Sequence, residues 1–260
     1  MHVEEPRFPP LLTGYGIKAP DKVFETACAG ADAGTYGAAD VVWARNTSRV
    51  EMAVVLEPDV PRRVALQMVP LFELAVIEAV GALMPPKTSV LLRWPLALIV
   101  NAGVVGKFHF AAAPCGDDEV PDWLVAGVEI QLARELGDVE PGHLHEQTCL
   151  AEEGADDATR TMFLEMIGAY VLTWIQSWQD KGLAAFAEMW VGRVEGHDAP
   201  AEIDLVGGSG ARVNASVLGL DEDLRLLVKV AEGDVRALEI EAVVGKSEGA
   251  AAHQSARGSP

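Results

Sequence analysis

The segment Val90–Phe110, VLLRWPLALIVNAGVVGKFHF, constrains the fold more than any other stretch. Short apolar runs are separated by turn signals, the pattern of consecutive strands. Arg93-Trp94-Pro95 places a cation, a large ring and an imino acid inside the run, and Pro95 rules out one continuous central strand. Asn101-Ala102-Gly103 marks a hairpin turn between two apolar runs. A chain with this segment near its middle must build a sheet and cover it.

Helices to cover that sheet are legible on both sides of the segment. Residues 62–84, after the helix-starting Pro61, are apolar around most of a helical circumference. They carry Gln67, Pro70, Glu73 and Glu78, which favours a helix buried between a sheet and other elements over a membrane span. Met162, Phe163, Met166, Ile167, Tyr170, Val171, Trp174, Ile175 and Trp178 form one stripe at the helical period. Asp156, Asp157 or Thr159 can cap its start and Gly182 can end it. Further helices are predicted over about 22–33, with Asp21 as cap, and over 183–193. Strands are predicted at Asp40–Ala44, Val50–Glu57 and Trp123–Leu132. Residues 1–20 read as an extended lead-in and 135–158 as a long acidic loop. Short strands fill Glu202–Val244, and 246–260 read as a disordered tail.

The formal net charge of −19 argues against nucleic acid as the main partner and disfavours an anionic membrane surface. Cys28, Cys115 and Cys149 form no disulfide framework, and MHVEEPRFPP lacks the features of a signal peptide, so a cytoplasmic protein is expected. His143, His145, Glu146 and Cys149 are the one metal-type grouping. They lie in an irregular acidic loop without clear ligand spacing, and no metal site is expected.

The order of these elements resembles the biotin protein ligases, relatives of the lipoate–protein ligases. The resemblance rests on Arg93-Trp94-Pro95 with the following hairpin, on Gly127-Val128-Glu129-Ile130, and on the capped amphipathic helix. It continues in Lys181-Gly182-Leu183-Ala184 leading to Trp190, and in Leu205, Gly207, Gly219-Leu220-Asp221 and Leu226-Leu227. It implies an α+β fold, a class II synthetase-like mixed β-sheet backed by helices on one face. Residues 1–200 would form the ligase-like domain and 201–245 a small SH3-like β-barrel.

The resemblance also implies a chemistry. Such ligases activate the carboxylate of biotin with ATP, hold the acyl-adenylate, and pass the acyl group to a lysine of a carrier domain. ATP, biotin or lipoate, and an accompanying Mg2+ are the small molecules implied. A biotinyl or lipoyl carrier domain is the partner, and the chain is a monomer or a homodimer. A lysine must sit beside the carboxylate and α-phosphate, and a Gly- and Arg-rich loop must wrap the adenylate. Here Leu96 and Ala97 stand where the family has Asn-Asp, Gly103 or Val104 where it has lysine, and Arg45-Asn46-Thr47-Ser48-Arg49 in place of the Gly-Arg-rich loop. Lys107 is the nearest substitute cation, on a strand face that alternation alone does not fix. Arg45, Arg49, Arg93, Trp94, Gly127 and Glu129 are the expected substrate-binding residues. Glu129 either faces the pocket or pairs with an arginine such as Arg93. Two functions follow: a carrier-protein ligase with an altered active site, or a non-catalytic relative that binds a small carboxylate or a carrier domain.

Overall fold

A computed structural model describes residues 4–134, 147–205, 212–230 and 233–245. The main sheet has seven strands: β1 (Thr13–Ile17), β2 (Asp40–Ala44), β3 (Arg49–Leu56), β4 (Val90–Arg93), β5 (Ala97–Val100), β6 (Gly103–Ala112) and β7 (Leu124–Gln131). Their order is β1-β2-β3-β7-β6-β5-β4. Only β1 and β2 are parallel; the remaining neighbours are antiparallel, so the sheet is mixed. The hairpin read from Asn101-Ala102 joins β5 to β6, with Val100 opposite Gly103 and both turn residues at positive φ (48° and 74°). That is the backbone of a two-residue turn matching the strand twist.

Period-two alternation sorts the side chains. Val50, Met52 and Val54 of β3, Ala126, Val128 and Ile130 of β7, and Phe108 and Phe110 of β6 enter the main core. Above them lie α3 (Met68–Leu83) and α4 (Arg160–Lys181), preceded by the single turn α2 (Arg62–Ala65). The apolar stretch 62–84 is thus two helices, parted at Leu66-Gln67. Ala53, Val55, Ala111 and Val125 point the other way and are covered by Val23, Phe24 and Ala27 of α1 (Val23–Asp32). Helices on one face was therefore the wrong expectation: both faces of β3 and β7 are covered, which is why those strands read as nearly unbroken apolar runs. The lead-in also needs correction. Residues 13–17 are not mere connector but the edge strand β1, hidden in the sequence because its glycines and exposed side chains lack alternation.

Thr159 is the helix cap of α4, accepting from the Met162 N–H. Residues 183–193 divide into a 3-10 turn over Gly182–Ala185 and the short α5 (Ala187–Val191). The following chain runs along the outer edge of β4, where the Leu92 N–H donates to Arg193 and the Glu195 N–H donates to the Leu92 carbonyl. Beyond it, β8 (Ala201–Asp204), β9 (Arg212–Leu220), β10 (Arg225–Val230) and β11 (Val235–Glu239) form a four-stranded antiparallel sheet, in the order β11-β10-β9-β8. Its inward residues Ile203, Val217, Leu226 and Val228 belong to the same apolar cluster as the main sheet. The tail from 246 lies outside the described residues.

The segment Arg62–Leu83 is the one described stretch long and apolar enough to cross a membrane, and 78% of its 18-residue apolar window is buried inside the protein. Three of its polar side chains, Gln67, Glu73 and Glu78, have indole partners. Trp178 donates to Gln67 (2.7 Å), Trp190 to Glu73 (2.8 Å) and Trp174 to Glu78 (2.9 Å). Glu73 is 1% exposed, and burial pushes its carboxyl well above the ordinary 4.5 despite the indole hydrogen bond. Above pH 4.5 the unfolded chain releases a proton that the folded chain keeps, so this residue lowers stability as pH rises toward the folded value. Glu73→Gln should therefore stabilise the protein more at pH 8 than at pH 5 in urea unfolding. Trp190→Phe, which strands the carboxyl, should cost about 1–3 kcal/mol.

Candidate functional site

Helix α1 does not cover its whole face of the sheet. Phe24 lies over Gly127, where an added Cβ would come within 2.8 Å of the ring. Beyond Phe24 the face opens into a pocket of about 450 Å³. Its floor is β6 and β7, its corner is Arg49 at the start of β3, and its wall is Gln147-Thr148-Cys149 with Arg134. The wall is held by backbone: Thr148 N–H donates to Val104, and Leu150 N–H to Gln131. Arg134 in turn makes a two-pronged hydrogen bond to Glu152 (2.5 and 2.9 Å), which holds that carboxyl below its ordinary range.

Register decides which residues meet there. Lys107 is directly opposite Glu129 on one side and Ala97 on the other, so all three share a face. Glu51 is opposite Glu129, and Arg49 opposite Gln131. A simple alternation from the buried Val105 would have sent Lys107 into the core. The register shift between Leu98 and Ile99 breaks that alternation, so that Val105 and Phe108 are both core and Lys107 emerges on the pocket side. Gly106 allows the close approach, since a Cβ there would lie 2.4 Å from the Glu129 carbonyl oxygen.

Of the expected site residues, Arg49, Lys107 and Glu129 come together, and the others are placed elsewhere. Gly127 is beneath Phe24. Arg45 donates to Glu5 and to the Gly16 carbonyl and lies over the Trp43 ring, which Arg160 also faces. Arg93 is clamped by Glu195 (2.6 and 3.1 Å), so the arginine partner considered for Glu129 belongs to another carboxylate. Trp94 is 5% exposed within the main core, its indole N–H buried and without a partner among the described residues. His143, His145 and Glu146 lie outside the described residues, and Cys149 is buried at the pocket wall. Among the described residues no three metal-ligating groups converge.

Gln131, Arg134, Gln147 and Thr148 line the pocket without having been singled out in the sequence. Gln131 was legible, two residues beyond Glu129 on the same strand face. The rest come from connecting chain that no periodicity places.

Electrostatically the pocket is mixed. Among the described residues Lys107 forms no ion pair. Glu129 approaches His109, Oε1 to Nε2 3.5 Å. His109 packs on Phe24, ring centroids 5.2 Å apart, and burial lowers its pKa below 6.5; Glu129 and the more distant Glu25 oppose that shift, while Lys107 and Lys22 reinforce it.

Three comparisons bear on this arrangement. Residues 8–192 match the Biotin/lipoate A/B protein ligase family. The chain is similar to a solved biotin protein ligase-like protein of unknown function from Silicibacter sp. TM1040, with 30% identity, 92% of this chain and 99% of that one covered, and a TM-score of 0.79. It shares the fold of the biotin protein ligase from Aquifex aeolicus, seen without ligand (15% identity, 87% and 95% covered, TM-score 0.64) and with biotin and ATP (14%, 86% and 94%, 0.64). No curated protein sequence matches the chain.

Two outcomes follow from the geometry. Gly106→Ala should cost about 1–3 kcal/mol in unfolding experiments, because the added methyl meets backbone. The His109 imidazole, followed by NMR, should titrate below 6.5, and lower still in Glu129→Gln. Below pH 6.5 the unfolded chain takes up a proton that folded His109 resists, so its contribution to stability is complete above that pH and is lost as pH falls.

Proposed function

Because the chain belongs to the biotin/lipoate A/B protein ligase family, with 185 of its 260 residues inside the match (8 to 192 inclusive), we propose that it activates a biotin- or lipoate-type carboxylate with ATP and passes the acyl group to a lysine of a carrier domain, in the cytoplasm. The observation that carries this reading is Lys107. Its ammonium opens on the pocket between Glu129 and Ala97, with Arg49 at the corner of the same cavity. A mobile point charge there suits a carboxylate and the oxygens of an α-phosphate. The backbone-built wall at Gln147-Thr148 supports the closed surroundings that an acyl-adenylate needs. The four-stranded C-terminal sheet, packed on the main core, is read as the SH3-like barrel of such ligases. Mg2+ would be held by ATP phosphates, as no carboxylate cluster for it stands among the described residues.

A second reading is favoured by Ala97 and Glu129. One flanks Lys107 without any hydrogen-bonding side chain, and the other brings a negative charge beside the site for a phosphate. On this reading the pocket binds the acid, or a carrier domain, without activating it. Calorimetric titration with ATP, biotin, lipoate and octanoate, paired with a pyrophosphate-release assay, separates the two. Pyrophosphate release that depends on one acid and falls about tenfold or more in Lys107→Ala is the ligase result. Binding of an acid with no release is the binding-protein result. Failure of every acid to bind would remove the ligase reading and leave only the carrier-domain form of the second.

A further inference from the structure

Resting on the pocket as the carboxylate site, we propose that His109 is a positioning residue for it. His109 holds the Glu129 carboxylate away from Lys107 and so keeps the ammonium open to the acid.

Register gives Glu129 two candidate partners on β6. Lys107 is directly opposite it, and His109, opposite Gly127, is its diagonal neighbour on the same face. Opposite charges set directly across two strands, with Cβ atoms about 5 Å apart, ordinarily pair. Here they do not. Among the described residues Lys107 forms no ion pair, whereas Glu129 Oε1 stands 3.5 Å from His109 Nε2.

The cause lies in the ring. His109 packs beneath Phe24, ring centroids 5.2 Å apart, and its Nε2 is buried without a hydrogen-bonding partner among the described residues. A buried N–H needs an acceptor, and a small closing movement makes Glu129 that acceptor. Burial keeps the ring neutral at pH 7; Glu129 and Glu25 oppose that shift, while Lys107 and Lys22 reinforce it. Glu129 therefore keeps its negative charge but is directed toward the ring instead of the ammonium.

Without His109 the carboxylate turns to its direct neighbour, neutralises Lys107 and repels an incoming anion. Arg49 and Arg134 also line the cavity, and Glu51 is opposite Glu129 on β3; each of the three has an interaction of its own. The two arginines remain when Lys107 is lost to Glu129, so binding is weakened and not abolished. Lys107 is exposed and the Glu129 side chain is 46% exposed, which keeps the effect modest.

The test is titration calorimetry of the full chain with biotin, lipoate and octanoate, at fixed pH and ionic strength. For the acid bound most tightly, His109→Phe should weaken binding about fivefold. His109→Gln, which keeps an N–H for the carboxylate, should stay within about twofold of wild type. In the Glu129→Gln background, His109→Phe should change binding by less than about twofold, because the competing carboxylate is gone. Equal weakening in both backgrounds, or none in either, would overturn the role of His109 while leaving the carboxylate site intact. Absence of binding of every acid by the wild-type protein would overturn the acid site and this inference with it. If His109→Phe does not fold, the ring-nitrogen NMR shifts of the wild-type protein decide. The neutral ring must carry its proton on Nε2; a proton on Nδ1 would turn a lone pair toward Glu129 and overturn the hold.

Discussion

Helix α3 has almost no side that meets water, and the remainder of the molecule is arranged around that constraint. Twelve of its sixteen residues are buried, Glu73 among them. A polar group in that position is tolerated only with a partner, and α4 and α5 supply indoles, which bring large apolar bodies with a single N–H at one end. Trp190 and Trp174 so dock the two later helices onto α3, and Trp178 ties the end of α4 to Gln67. The sheet packs against this layer through Phe72, which meets Phe108 and Phe110 edge-on. With one face sealed this way, the other face is free to carry chemistry wherever α1 leaves it open.

The open part has a charge pattern that follows from strand register. Antiparallel pairing sets Glu51, Glu129 and Lys107 in a row across β3, β7 and β6. The floor beneath them is backbone at close approach, with glycine required at 106. Such a floor moves little, and side chains standing on it are positioned by the sheet rather than by loops. The wall is built differently, from a chain segment tied to β6 and to the end of β7 by a few backbone hydrogen bonds.

Much of the fold was legible because its periodicities are clean. The strands at Asp40–Ala44 and Leu124–Gln131 and the capped helix from Arg160 announce themselves by alternation, stripe and cap. β1 was not, since a glycine-containing edge strand has little to alternate. The site was legible in part. Arg49, Lys107 and Glu129 were named from the chain, and Gln131 could have been. Arg45 and Arg93 look equivalent to Arg49 in sequence, but their carboxylate partners, Glu5 and Glu195, lie 40 and 102 residues away, a separation no local pattern reveals. The face taken by Lys107 depends on a register shift, which one strand read alone does not disclose.

The position of β7 has a consequence for how the chain comes to be folded. It is the seventh strand in sequence but sits at the centre of the sheet, between β3 and β6. As the polypeptide leaves the ribosome, the β1-β2-β3 ribbon and the β4-β5-β6 meander can each pair internally. Each then presents an open, apolar edge until residues 124–131 arrive. A strand that closes two edges at once couples distant parts of the chain, which slows folding and leaves intermediates exposed to association. The acidic character of the protein, −19 overall, opposes that association through the mutual repulsion of partly folded chains.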